Sequence, residues 1–312
     1  CLRRLNRMGT AKRLARSFEN VPALPITCAS RYVLFSDCHR GRGNSNDNFL
    51  KNQHLYFAAL KHYYQTGFTY IELGDGDELW ENRCLKQIIE IHNDVYWLFT
   101  RFYQTGRLYM LYGNHDMVKK YEKYRKNACS EYFCAFTQNM QPLFPDMPYY
   151  SGLILKDCQG NHDLYLTHGH QADPLNSVFW KLARFLVRYV WNPLEHFGVL
   201  DPTSAAKNYT LKDKTEQRLS HWAKQENKVL ITGNTHRPRL GADHGPYFNT
   251  GSCVHPGSIT CIEITRRTLT LVKWTLNTRR DQSLYVAREP LSEPLPLDNI
   301  RFDTTDTDFD GN

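Results

Sequence analysis

The chain has 312 residues, 41% of them hydrophobic, and a net charge of +7, enough to bury a large core in one domain with insertions and to favour anionic partners. No apolar run reaches 18 residues and no charged stretch leads into an apolar block, so neither a transmembrane helix nor a secretory signal is expected within these residues. Nine cysteines, an odd number with no Cys-x-x-Cys pair, exclude a disulfide scaffold and fit free thiols in a reducing compartment, so the expected location is cytoplasmic.

Residues 1–16 carry Arg3, Arg4, Arg7, Lys12, Arg13 and Arg16 with no acid, interleaved with Leu2, Leu5, Met8 and Leu14. This predicts a basic amphipathic helix packed on its own domain, with peripheral membrane contact as the sharper reading. The chain opens on Cys1, which leaves an upstream anchor open. Segment 1–26 is set apart as an N-terminal unit. Next, "YVLF", "FTYIEL" and "RLYMLY" read as strands separated by helical stretches 48–64 and 84–103, a βαβ rhythm that predicts a mostly parallel sheet. "GLILK" and "DLYLTH" flank the turn-rich "DCQGNH" and read as a hairpin. A helical insertion follows over 174–225. "KVLIT", "SITCIEI" and "TLTLVKWTL" then suggest a second sheet with antiparallel pairing, completing a main domain over 27–280. Residues 281–312 form an extension whose end, with Asp303, Asp306, Asp308 and Asp310, is expected to be acidic and flexible.

Five strand-like runs end on polar residues: "SDCHRG", "GDGDELW", "GNHD", "HGHQAD" and "GNTHRP". The crevice of an open α/β sheet forms beyond the carboxyl ends of its strands, and glycine beside Asp, Asn or His lets the chain turn sharply near an ion. Carboxylate, amide and imidazole together suit divalent ions of intermediate hardness rather than thiolate-bound zinc. Cys38 lies inside the first cluster, but alternation along an extended segment points it away from Asp37 and His39.

The ordered series Asp37-x-His39, Gly74-Asp75, Gly113-Asn114-His115-Asp116, His168 and Gly233-Asn234-Thr235-His236 resembles the calcineurin-like metallophosphoesterase superfamily over most of the chain. The resemblance implies an α/β fold, a four-layer α-β-β-α sandwich of two mixed sheets flanked by helices, with a two-metal site at one edge. It also implies that Asp37, His39, Asp75 and His236 hold one metal, that Asp75 bridges to the other, and that Asn114 and His168 hold the second. Manganese is the first expectation, with iron, zinc or magnesium as alternatives. The last motif of the family reads Gly-His-x-His, so Asn234 stands where an imidazole of the second metal is expected. An amide oxygen is the weaker donor, which implies a looser or harder second ion. A working natural variant, a weakened enzyme and an introduced substitution all fit the sequence.

The reaction so implied is hydrolysis of a phosphomonoester, phosphodiester or pyrophosphate bond by a metal-activated hydroxide. His115 would protonate the leaving oxygen, with Asp37 or Asp116 orienting it. Arg40 would fork onto a substrate phosphate, or else sit at the surface paired with Asp47 or solvent. Glu78 and Trp80 in "GDGDELW", and the Thr-His-Arg-Pro ending, are similar to UDP-2,3-diacylglucosamine hydrolases, which cleave a lipid-linked pyrophosphate. A non-catalytic binding protein on the same scaffold is the competing class.

In "NSVFWKLARFLVRYVW", Lys181, Arg184 and Arg188 recur at helical spacing while aromatic and aliphatic residues fill the remaining surface. Packing on the domain or on a second subunit of a homodimer is the plain reading. A lid that grips an acyl or aromatic group, with the basic stripe on a phosphate, is the sharper one. The expected partner is a phosphorylated small molecule or lipid-linked substrate. No specific nucleic acid is expected, since basic and aromatic residues do not interleave along a strand.

Overall fold

A computed structural model of the chain describes residues 2–44, 47–160, 162–191, 209–240 and 245–302. Strand Arg31–Phe35 shows how the sequence builds it: Val33 and Phe35 join one apolar cluster while Tyr32 and Leu34 join another. A strand buried on both faces needs such an unbroken apolar run. It is central to an eight-stranded sheet. Strands Thr69–Glu72, Leu108–Leu111 and Tyr149–Tyr150 continue from it in parallel, and Ser258–Thr265, Thr268–Thr278 and Leu284–Pro290 follow antiparallel on its other side. A six-stranded sheet runs in the order Ala23–Ile26, Gly152–Asp157, Leu164–Thr167, Val229–Thr232, Tyr247–Asn249 and Arg239–Leu240.

The two sheets share one core, which includes Leu34, Ile71 and Ile262 from the larger sheet and Leu153, Leu166 and Ile231 from the smaller. Helices Gln53–Gln65, Leu85–Ile91 and Asn93–Gln104 cover the other face of the larger sheet through residues such as Tyr56, Ile88 and Phe99. Helix Tyr209–Gln225 packs through Leu219 and Trp222 with Leu14 of helix Leu2–Arg16 and with Leu230 and Tyr247 on the smaller sheet. No helix among the described residues is long and apolar enough to cross a membrane.

Several boundaries differ from the sequence reading. The predicted second sheet is wrong in membership: Ser258–Thr265 pairs with Arg31–Phe35 in the larger sheet, whereas Val229–Thr232 pairs in parallel with Leu164–Thr167 in the smaller. The helical stretch 84–103 breaks at His92, whose buried ring bonds to Asp47 and Gln53. Ala23–Ile26, assigned to the N-terminal unit, is a strand of the smaller sheet. Leu295, Leu297 and Ile300 of the extension are buried in the shared core. Arg267 helps hold that extension through ion pairs to Asp157 and Asp298. Helix Leu2–Arg16 forms as expected, with Leu14 fully buried. The acidic tail 303–312 and residues 192–208 of the insertion lie outside the described residues.

Candidate metal centre

All five polar clusters follow carboxyl ends of strands, and backbone hydrogen bonds continue past those ends to tie the loops together. Asp37 N–H donates to Gly74 O at 3.1 Å, His39 N–H to Asp75 O at 2.9 Å and Gly233 N–H to His168 O at 3.0 Å. Asp37, His39, Asp75, Asn234 and His236 all have positive φ, between 49° and 68°. Such backbone is held at a cost of about 1–3 kcal/mol per residue and clusters where the surroundings impose it, commonly at functional sites. Close approach also requires Gly113: a Cβ there would lie 2.1 Å from Asp75 Oδ1. Cys38 is buried in the core beneath, as expected, but the left-handed backbone on either side, not strand alternation, turns it inward.

The clusters converge. Ligand atoms of Asp37, His39 and His236 lie within 4.8 Å of one another, as do those of Asp37, Asp75 and His168, and those of His39, Asp75 and His115. His236 Nε2 is 3.2 Å from Asp37 Oδ1, and His168 Nε2 is 3.1 Å from Asp75 Oδ2. Each neighbouring bond aims a lone pair inward. His168 donates Nδ1–H to Leu73 O at 3.1 Å, and His39 engages Glu78 Oε2 through Nδ1 at 2.8 Å. Occupying Nδ1 in this way leaves Nε2 as the ligand atom, the arrangement that orients metal-binding histidines.

A metal can be tested against atoms the protein leaves unsatisfied. Asp37 Oδ1, His39 Nε2, Asn114 Oδ1, His168 Nε2 and Asn234 Nδ2 are buried without a well-aligned hydrogen bond, the short contacts of Asp37 with His236 and of His168 with Asp75 being ion-pair approaches only. Leaving buried polar atoms unpaired costs about 1–3 kcal/mol each, and here they belong to residues of the predicted ligand set. Turning the Asn234 amide by 180° puts its oxygen where Nδ2 lies without moving any other atom. The donor set fits one or more divalent cations of intermediate hardness.

Glu78 joins two histidines. Besides His39, its carboxylate meets His115 Nδ1 at 2.8 and 2.9 Å, and the His115 ring stacks on Trp80 with centroids 4.2 Å apart. This corrects the expected orienting role of Asp37 and Asp116. Asp37 turns to His236 and accepts from the backbone N–H of Asn234 at 2.9 Å. Asp116 accepts from Gly113 N–H at 2.7 Å and pairs with Lys119 at 2.8 Å.

Arg40 is likewise corrected. Its side chain is 1% exposed and pairs with Glu72 at 2.9 Å and Asp77 at 2.7 Å, above the Phe99 and Tyr96 rings. It cannot reach a substrate phosphate. Asp77 also takes Lys119 at 2.6 Å, so Glu72, Arg40, Asp77, Lys119 and Asp116 form one buried chain of alternating charge linking three of the ligand loops. In the insertion, Arg188 donates to the carbonyls of Trp80 at 2.6 Å and Leu79 at 2.8 Å, so it braces the Asp75–Trp80 loop rather than offering a phosphate contact. Arg184 lies over the Trp180 ring at 5.0 Å, and Lys181 is exposed.

Burial disfavours charge on His39, but Glu78, Asp75 and Asp37 outweigh it and push its pKa up to about 10. His168 is pushed up to about 9 in the same way, chiefly by Asp75. Burial also opposes ionisation of Asp75, yet the surrounding histidines hold it well below the usual carboxylate range. Without an ion, protons thus supply the positive charge that this field favours. A cation binding here would have to displace them, so its apparent affinity is expected to rise with pH and to stop rising above about 10. Titration with manganese between pH 6 and 8 should show a gain of about tenfold per pH unit for each proton displaced. A pH-independent affinity would contradict this.

Sequence reasoning missed the structural partners Asp77 and Lys119, and saw Glu78 only as a mark of likeness. The signal for Glu78 was its place three residues after Asp75. It also missed His170, 3% exposed beside His168, whose burial and the neighbouring charge of His168 lower its pKa to about 3. Neither a protein-family model nor a curated protein matches the chain. Among solved structures it is similar to Vps29 of Chaetomium thermophilum, at 11% identity and a TM-score of 0.40, over 87% of this chain and 99% of that one.

Proposed function

We propose that the chain is a metal-dependent phosphoester hydrolase of the calcineurin-like metallophosphoesterase type, on an α-β-β-α sandwich. The convergence of unpartnered donor atoms beside a histidine held by Glu78 supports this reading. Asp37, His39, Asp75 and His236 would hold one cation, and Asp75, Asn114, His168 and Asn234 the other. When bound, two divalent ions, manganese foremost, supply Lewis acidity that activates water and offsets charge on phosphoryl oxygens. His115 keeps Nδ1 on Glu78 and presents Nε2 to the leaving oxygen, where its proton completes bond cleavage. Stacking on Trp80 shields one face of the ring. The Glu78 and Trp80 positions also support a pyrophosphatase reading within this class.

The test is metal analysis of purified protein with turnover of an aryl phosphate, an aryl phosphodiester and a nucleotide-sugar pyrophosphate in manganese. Uptake of metal with hydrolysis of at least one substrate is expected. Metal uptake without turnover of any would favour a binding scaffold, and no uptake under excess manganese would overturn the reading. Asn234→His should raise occupancy of the weaker ion, because imidazole is the better donor. Unchanged occupancy would show that the asparagine is an adequate ligand.

A further inference from the structure

We propose that the exposed apolar stripe of the insertion docks on the surface of an anionic lipid bilayer. The segment has two apolar faces. Trp180, Ala183 and Val187 are buried against Trp80 and Met117. Val178, Phe179, Leu182, Phe185 and Tyr189 point outward, exposed by 58%, 57%, 53%, 54% and 49%. The inner face anchors the helix, so packing on its own domain accounts for only one of the two. Large apolar side chains grouped on one outer face mark an interaction surface.

Charge selects the occupant. Residues 174–191 contain Lys181, Arg184 and Arg188 and no acid. Lys181 is exposed between the two faces, and Arg83 adds a further exposed cation, donating to the Tyr189 hydroxyl with its guanidinium 5.6 Å from that ring. A two-fold dimer through this patch would pair the patch with itself and set these cations against their own copies. An anionic headgroup layer is complementary, and aromatic and leucine side chains flanked by basic residues match a helix lying in the bilayer interface. The stripe adjoins the loop of Trp80, which would place the metal centre close to the lipid surface.

The surface can be tested without reference to turnover, so its failure is distinguishable from failure of the hydrolase reading. The full chain is sedimented with phosphatidylcholine vesicles with and without phosphatidylglycerol. Binding to the anionic vesicles is expected, about fivefold weaker for Lys181→Gln and more than about tenfold weaker for L182E/F185E, which loses apolar contact. Circular dichroism and an unchanged urea unfolding midpoint show that the double variant is folded. No binding by the unaltered chain, equal binding by the folded double variant, or equal binding to neutral and anionic vesicles would overturn the proposal. So would concentration-dependent dimerisation, seen by light scattering and abolished in L182E/F185E, without vesicle binding.

Discussion

On the proposed hydrolase reading, His115→Ala is expected to lower turnover of manganese-loaded protein by about 10³-fold, within the range for loss of a positioned proton donor, while metal content stays unchanged. Steady-state rates alongside metal analysis check this. The dissociation follows from geometry: the backbone amide, not the ring, links residue 115 to Asp75, at 2.8 Å, so the carboxylate keeps that bond in the variant. Burial draws the ring toward neutrality, but Glu78 and Asp75 outweigh it and raise its pKa. The donor must be protonated, so the rate falls as pH rises through that raised value. Glu78→Gln removes a negative charge from the ring, and the alkaline fall in rate should move to lower pH. It also loosens His39, so metal affinity weakens in this variant alone. An unmoved alkaline limb would remove Glu78 from the proton-donating role. Equal loss of metal in His115→Ala would make the ring a ligand instead.

Lys119→Met destabilises the fold by about 3–5 kcal/mol, the cost of taking one partner from a buried ion pair, measured as a fall in the urea midpoint at unchanged slope. Lys119 is fully buried and meets both Asp77 and Asp116. Burial would strip its proton, yet the two carboxylates hold the ammonium well above its usual pKa. In the variant, Arg40 still balances Asp77, but Asp116 keeps only the Gly113 amide among its described partners. The Gly113–Asp116 loop then loses its anchor, so metal binding should weaken even where the variant remains folded. A change below about 1 kcal/mol would place this network among ordinary surface pairs.

The strand-end clusters were legible because each combines an apolar run, a glycine and oxygen or imidazole donors within a few residues. Lys119 was not legible. It looks like a surface lysine in "MVKK", and its burial depends on Asp77, which arrives from another loop. Arg40 misled for the same reason: an arginine beside a ligand pair suggests a phosphate contact until Glu72, at the end of a strand, proves to face it. The hairpin Ser258–Thr278 was readable as a hairpin, since both strands and the turn are local. Its sheet was not, because Ile262 pairs with Leu34, over two hundred residues upstream. The paired apolar faces at 178–189 likewise hide in a sequence that is apolar nearly all round.

The left-handed backbone of Asp37, His39, Asp75, Asn234 and His236 limits how this site can change. Besides glycine, the residues that tolerate such φ values best are asparagine, aspartate and histidine, and these three are also oxygen and imidazole ligands. The conformational alphabet of the loops therefore nearly coincides with their coordination alphabet. A substitution the backbone accepts at Asn234, at φ 68°, would exchange one potential donor for another more readily than it would remove a donor. On the proposed metal-binding reading, drift at such positions would tune which ion binds, and how tightly, before it could silence the centre.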